Sequence, residues 1–166
     1  TTLDRTLSRK MEPRAATPQR RLDTIRALSD AGIEVTVMTA PIIPGLNDHE
    51  IENLLEAAAD HGATRAGYVL LRLPYEIKDL FHEWLVQHVP DRAARVINHI
   101  RDMRGGKDYD ANWHERMRGG GPVADIISRR FGRCAAKLGM NQPRGALRTD
   151  LFRIIEDYGG QMRLDI

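Results

Sequence analysis

Apolar positions along this chain follow two patterns, short β-branched runs and longer stripes at helical spacing. Ile33, Val35 and Val37 lead a run too short and too β-prone for a helix. It ends at Pro41 and Pro44, which both forbid helix and lack a backbone donor, so the chain leaves this strand along a fixed path. Gly45 permits a left-handed or close-approach backbone there. Asn47 or Asp48 is then placed to cap a helix with Ile51, Leu54, Leu55 and Ala58 on one face, running to Asp60 and stopped at Gly62. Residues 66–73 form a second, near-continuous apolar run, suited to a strand covered on both faces and closed by Pro74. Residues 1–3 read as the end of a further strand, with Asp4 capping a short amphipathic turn around Leu7. Thr17-Pro18 opens a helix with Leu22, Ile25 and Leu28 on one face, and Gly32 ends it. Ile77, Leu80, Phe81, Trp84 and Leu85 give a helical stripe that Pro90 breaks. Asp91 then caps a helix with Val96, Ile97, Ile100 and Met103 inward.

Strands alternating with helices through short connections predict parallel pairing with right-handed crossovers. The fold class expected is α/β, with about three strands. Three parallel strands are a poor stand-alone sheet, because one edge and one face would lie bare. This suggests half of a barrel. Past Gly105 the periodicity stops: residues 105–113 have turn chemistry, and Arg118-Gly119-Gly120-Gly121-Pro122 reads as a flexible hinge. A last helix follows, with Val123, Ile126, Ile127, Phe131, Cys134 and Leu138 inward and Gly139 as its stop. A short strand at residues 149–152 and a frayed end complete the reading. Two regions result, a barrel portion over 1–104 and a helical, loop-rich extension over 105–166.

The total charge of +2 demands neither nucleic acid nor membrane. No apolar run is long enough to cross a bilayer, so no membrane partner is expected. The single cysteine, Cys134, excludes an internal disulfide and a cysteine-held cluster from this chain alone, and suggests a reducing, cytoplasmic setting. The opening on Thr1 without a methionine leads to the expectation of an excerpt from something longer.

A stiff loop at the carboxyl end of a parallel strand is where α/β folds hold ligands, and it is also an ordinary strand–turn–helix connection. Thr1-Thr2-Leu3-Asp4, Met11-Glu12-Pro13-Arg14, Arg21-Leu22 with Leu28 and Ala31-Gly32-Ile33, and Pro41-Ile42-Ile43-Pro44-Gly45-Leu46-Asn47-Asp48 together resemble the radical S-adenosylmethionine superfamily. Gly67-Tyr68-Val69-Leu70-Leu71-Arg72-Leu73-Pro74, Arg104-Gly105-Gly106-Lys107-Asp108-Tyr109-Asp110 and Arg116-Met117-Arg118-Gly119-Gly120-Gly121-Pro122 extend the likeness toward the spore photoproduct lyase or DNA repair photolyase-like branch. The resemblance covers residues 1–141. It implies a partial parallel (β/α)6, TIM-like barrel, of which this chain holds the fourth to sixth strand–helix units.

It also implies iron–sulfur, lyase-like chemistry in a full-length parent. There a [4Fe–4S] cluster on a C-x3-C-x2-C loop binds S-adenosylmethionine and yields a 5′-deoxyadenosyl radical. The three cysteines are not in this sequence, so no cofactor, metal or catalytic residue is expected on this portion alone. The missing amino-terminal half is the expected partner, and the bare strand edge predicts a homodimer or swapped assembly. By the same resemblance Ile42, Ile43, Pro44 and Gly45 would cradle adenine, and the strand end at Leu71 would either abut it or serve packing. Thr2 would meet the ribose or simply favour a strand, and Arg14 would clamp the carboxylate or stay in solvent. Asp48 is read as a helix cap and Cys134 as a core residue.

The six histidines share no metal-ligand spacing and read as surface or rim residues. Residues 101–133 hold eight Lys/Arg against five Asp/Glu, with Tyr109 and Trp113 interleaved. Arg104, Lys107, Arg116 and Arg118 are therefore candidates for gripping nucleic-acid phosphates, although a solvated helix face would have the same composition. That surface carries the alternative reading, a non-enzymatic module that binds nucleic acid or protein.

Overall fold

The computed structural model describes residues 2–113, 116–143, 149–150 and 152. The order of elements is α1 (Arg5–Met11), α2 (Pro18–Asp30), β1 (Thr36–Ile42), α3 (Ile51–Asp60), β2 (Arg65–Leu70), α4 (Ile77–His88), α5 (Pro90–Asp102) and α6 (Gly121–Lys137). One turn of 3-10 helix, Asp48–Glu50, leads into α3. The fold is mixed α/β, and β1 and β2 pair in parallel, as the sequence predicts. Thr36 pairs with Arg65 and Thr39 with Tyr68, but Ile42 pairs with Leu70, so β1 carries one extra residue. That residue falls at Ala40-Pro41, where proline has no N–H to give the ladder.

The two strand exits divide the interior. Ile42 and Leu70 join Leu55, Ala58, Ile127 and Phe131 in a first core, between the sheet, α3 and α6. The next residue, Ile43, belongs instead to a second core with Leu7, Leu46, Leu73, Leu85, Val96 and Ile100, and Leu71 packs on it. Successive residues of an extended chain point to opposite sides, so one step along each strand exit changes the core it serves. The second core is closed by α4, α5 and α1.

Several expectations change. Residues 2 and 3 form no strand, and Thr1 lies outside the described residues. The reason is local: the Leu3 N–H donates to Glu50 Oε2 at 3.0 Å instead of to a neighbouring strand. Two strands are therefore described where three were expected. Asn47 and Asp48 make no helix cap; both brace the turn before α3, as described below. Pro90 does not merely end α4 but opens α5 at a position that needs no N–H, with Val89 ahead of it, so Asp91 falls inside the first turn. Ile126, assigned inward, is exposed, and so are Ile77 and Leu80 of the α4 stripe, while Phe81, Trp84 and Leu85 turn toward α5 and α1. The glycine-rich piece at 118–122 is strapped down: Leu70 N–H donates to Met117 O and Gly120 N–H to Met103 O. A Cβ on Gly119 would lie 3.2 Å from Met103 O, at a backbone φ of +64°. The proposed strand at 149–152 finds no support at residues 149, 150 and 152, and Leu151 lies outside the described residues.

Candidate functional site

The turn at 41–48 closes on its own side chains. Asn47 Oδ1 accepts the Ile43 N–H at 2.7 Å, and its Nδ2 donates to Pro41 O at 3.1 Å. Asp48 Oδ1 accepts the Gly45 N–H at 2.8 Å. Both side chains thus replace the strand partners that two prolines and a change of direction remove. Gly45 sits at φ +78°, where only glycine is unstrained, and a Cβ there would meet His99 Cδ2 at 3.3 Å. Ile42, Ile43 and Pro44 are buried. Leu71, half-buried, donates its N–H to Ile42 O at 2.9 Å and so joins the two strand exits.

Thr2 reaches the same neighbourhood by another route. Its hydroxyl donates to the buried Glu50 carboxylate at 2.6 Å and accepts the Asp4 N–H at 3.0 Å. Its proton is therefore already committed to Glu50, a buried carboxylate that sequence reasoning passed over. Arg14 stands in solvent in the turn after α1. The residues assigned to adenine and ribose are thus brought to one end of the sheet, whereas Arg14 makes no contact with them.

The basic segment divides. Arg104 is buried and donates to Leu71 O at 3.2 Å and Arg116 O at 3.0 Å, so it serves the fold and offers nothing to an outside phosphate. Lys107 and Arg118 are exposed. Arg116 stacks on the Trp113 ring at 3.7 Å, and that ring is 71% exposed. Arg72, missed from sequence, donates to Tyr109 Oη at 3.4 Å beside this pair.

Two ion pairs tie loops and helices around the site. Arg130 of α6 holds Glu52 of α3 through both carboxylate oxygens, at 2.9 and 2.6 Å, and lies 3.9 Å from Asp48. The Arg130 hydrogen bond pulls the Glu52 carboxyl below its usual range, against the effect of burial. Arg101 does the same to Asp108 at 2.6 Å.

Residues 1–58 match the model of the Radical SAM superfamily. The matched stretch takes in β1, the 41–48 turn and most of α3. The chain is 35% identical over 94 residues to the "Uncharacterized protein Rv2578c" of Mycobacterium tuberculosis and, equally, to the "Uncharacterized protein Mb2609c" of Mycobacterium bovis. Each match covers 55% of this chain and 28% of the relative, so the chain spans a minor part of the curated proteins it resembles. No solved structure matches. Radical SAM proteins of full length use S-adenosylmethionine and a [4Fe–4S] cluster. The cluster does not fit this chain: Cys134 is its one cysteine, and among the described residues no three ligand side chains gather. Cys134 is buried on α6, and burial, with Glu56 and Glu52 beside it, pushes its thiol up and away from thiolate chemistry.

Proposed function

We propose that this chain is the carboxyl-terminal portion of a radical S-adenosylmethionine enzyme of the photolyase-like branch. The cluster-bearing cysteine loop belongs to the preceding part of the polypeptide. This portion supplies the adenine-facing end of the sheet, at Ile42, Ile43, Pro44, Gly45 and Leu71, with Thr2 beside the ribose. The observation that carries the reading is the superfamily match that runs through the braced turn, together with the hydrogen bond that sets Leu71 against Ile42. When bound in the parent, S-adenosylmethionine would supply the radical; this chain's share is to hold and orient the nucleoside.

The test is anaerobic reconstitution of the parent and of residues 1–166 with iron and sulfide, followed by assay for 5′-deoxyadenosine under reducing conditions. The parent is expected to form it and the 166-residue chain alone to form none. Turnover by the shorter chain, or a reconstituted parent that cleaves no S-adenosylmethionine, overturns the proposal.

A second reading rests on Arg116 stacked over the open Trp113 ring, with Lys107 and Arg118 exposed nearby. It is a nucleic-acid contact, and gel shifts across a salt series test it, since phosphate contacts weaken steeply with salt. A flat response removes this reading.

A further inference from the structure

A cleft of about 480 Å³ opens on the helix side of the turn, where the two cores meet. Its walls come from Pro44, Gly45 and Asp48 of the turn, from Arg92, Arg95 and His99 on α5, and from Val123, Ile126 and Ile127 on α6; no residue of β2 or of 71–74 takes part. Ile127 belongs to the first core, while the apolar face of α5 belongs to the second. Seams between packed substructures are a common place for ligand sites.

The charge in this cleft is one-sided. Arg92, Arg95 and His99 recur at i, i+3 and i+7 and so line one stripe of α5. Neither arginine has a carboxylate partner among the described residues. Asp48 is the one carboxylate lining the cleft, and it is engaged by the Gly45 N–H at 2.8 Å and by Arg130 at 3.9 Å. His49 adds a further imidazole at the rim. Arg95 Nε donates to His99 Nε2 at 3.4 Å, which leaves the neutral imidazole's proton on Nδ1. That Nδ1 is buried and has no hydrogen-bond partner. Beside these groups Ile126, on a helix whose apolar face otherwise packs inward, is 50% exposed. Cationic forks next to an uncovered aliphatic wall suit a molecule with an anionic head and an apolar tail.

We infer that the cleft between the 41–48 turn, α5 and α6 binds a small organic anion, a phosphate or carboxylate held by Arg92 and Arg95 with its hydrocarbon part on Ile126. The site adjoins the proposed adenine-facing turn and shares Pro44 and Gly45 with it, but its arginines and Ile126 lie outside that reading, and its test reads binding without any radical chemistry.

The experiment is an NMR titration of the 166-residue chain with hexyl phosphate, inorganic phosphate and hexanol. Saturable shifts are expected at the Gly45 amide and the His99 ring with hexyl phosphate. Inorganic phosphate should bind more weakly, and hexanol should not saturate. The double variant R92Q/R95Q, whose side chains are exposed and outside both cores, should weaken hexyl phosphate by about tenfold or more. Ile126→Ser should weaken hexyl phosphate about threefold while leaving inorganic phosphate unchanged. Hexyl phosphate bound as tightly by the double variant, hexanol matching hexyl phosphate, or shifts confined to Arg72 and Arg116 would each overturn the inference. Far-ultraviolet circular dichroism of each variant confirms that a loss of binding is not a loss of fold.

Discussion

The first and second cores meet at the same two strand exits but are built differently. The first is clamped: β1, α3 and β2 follow one another, and α6, brought in from far along the chain, lies across α3 with Arg130 locked to Glu52. The second is gathered from distant pieces. Leu7 comes from α1, Ile43 and Leu46 from the turn, and Leu85, Val96 and Ile100 from α4 and α5, whose outer surface still shows Leu80 and Val86. Both cores close over long stretches of chain, and the second, whose helix α4 has an open outer surface, is expected to yield first. The braced turn is where these two stabilities meet.

The largest expected effect separates the cores directly. Leu55→Ala removes a fully buried side chain enclosed between the sheet and α6, and should cost about 3–5 kcal/mol in urea unfolding. Leu85→Ala should cost about 2–3 kcal/mol, because α4 has an open outer surface and can settle toward α5. Hydrogen exchange sharpens the contrast. Leu85→Ala should release the amides of α4 and α5 while β1 and β2 stay protected, whereas Leu55→Ala should release all of them. Equal release in both variants would show a single cooperative core.

Asn47→Ala strikes the junction. It leaves the buried Ile43 N–H without its acceptor, so a loss of about 1–3 kcal/mol is expected, with unfolding measured at both cores. Smaller again is Arg130→Gln, which breaks the clamp between α6 and α3. The pair is partly exposed, so the expected cost is about 1 kcal/mol or less.

The same pair gives the pH dependence its sign. Glu52 and Asp108 have carboxyls lowered in the folded state, through Arg130 and Arg101 respectively. Their contributions are therefore complete above the unfolded carboxyl range, about pH 4, and drain away as pH falls through the lowered folded values. Urea midpoints should stay level from neutral pH to about 4.5 and then fall, with a shallower fall in Arg130→Gln.

Much of this architecture is legible in the residues themselves. The Thr17-Pro18 start of α2, the apolar face of α3 and the two parallel strands follow from capping chemistry and period alone. Other parts depend on partners far away in the chain. Nothing local in Thr1-Thr2-Leu3 announces that Glu50 will take both the Thr2 hydroxyl and the Leu3 N–H in place of a third strand. Asn47 and Asp48 carry the same side-chain oxygens that cap helices, and only the loss of backbone partners at Pro41 and Pro44 turns them back onto the turn. Arg104 has the composition of a phosphate contact, yet it is drawn inward by two carbonyls. Arg92, Arg95 and His99 share a helical spacing that sequence reasoning passed over. Its meaning awaited the placement of Ile126 across the cleft.

The most direct test of the adenine-facing turn is photolabelling of the full-length parent with 8-azido-S-adenosylmethionine, followed by peptide mapping. The label should fall on residues 42–45 or 71 and be displaced by unlabelled S-adenosylmethionine. Displaceable label confined to the 92–99 stripe or to residues 104–118, with none at the strand ends, would contradict the account.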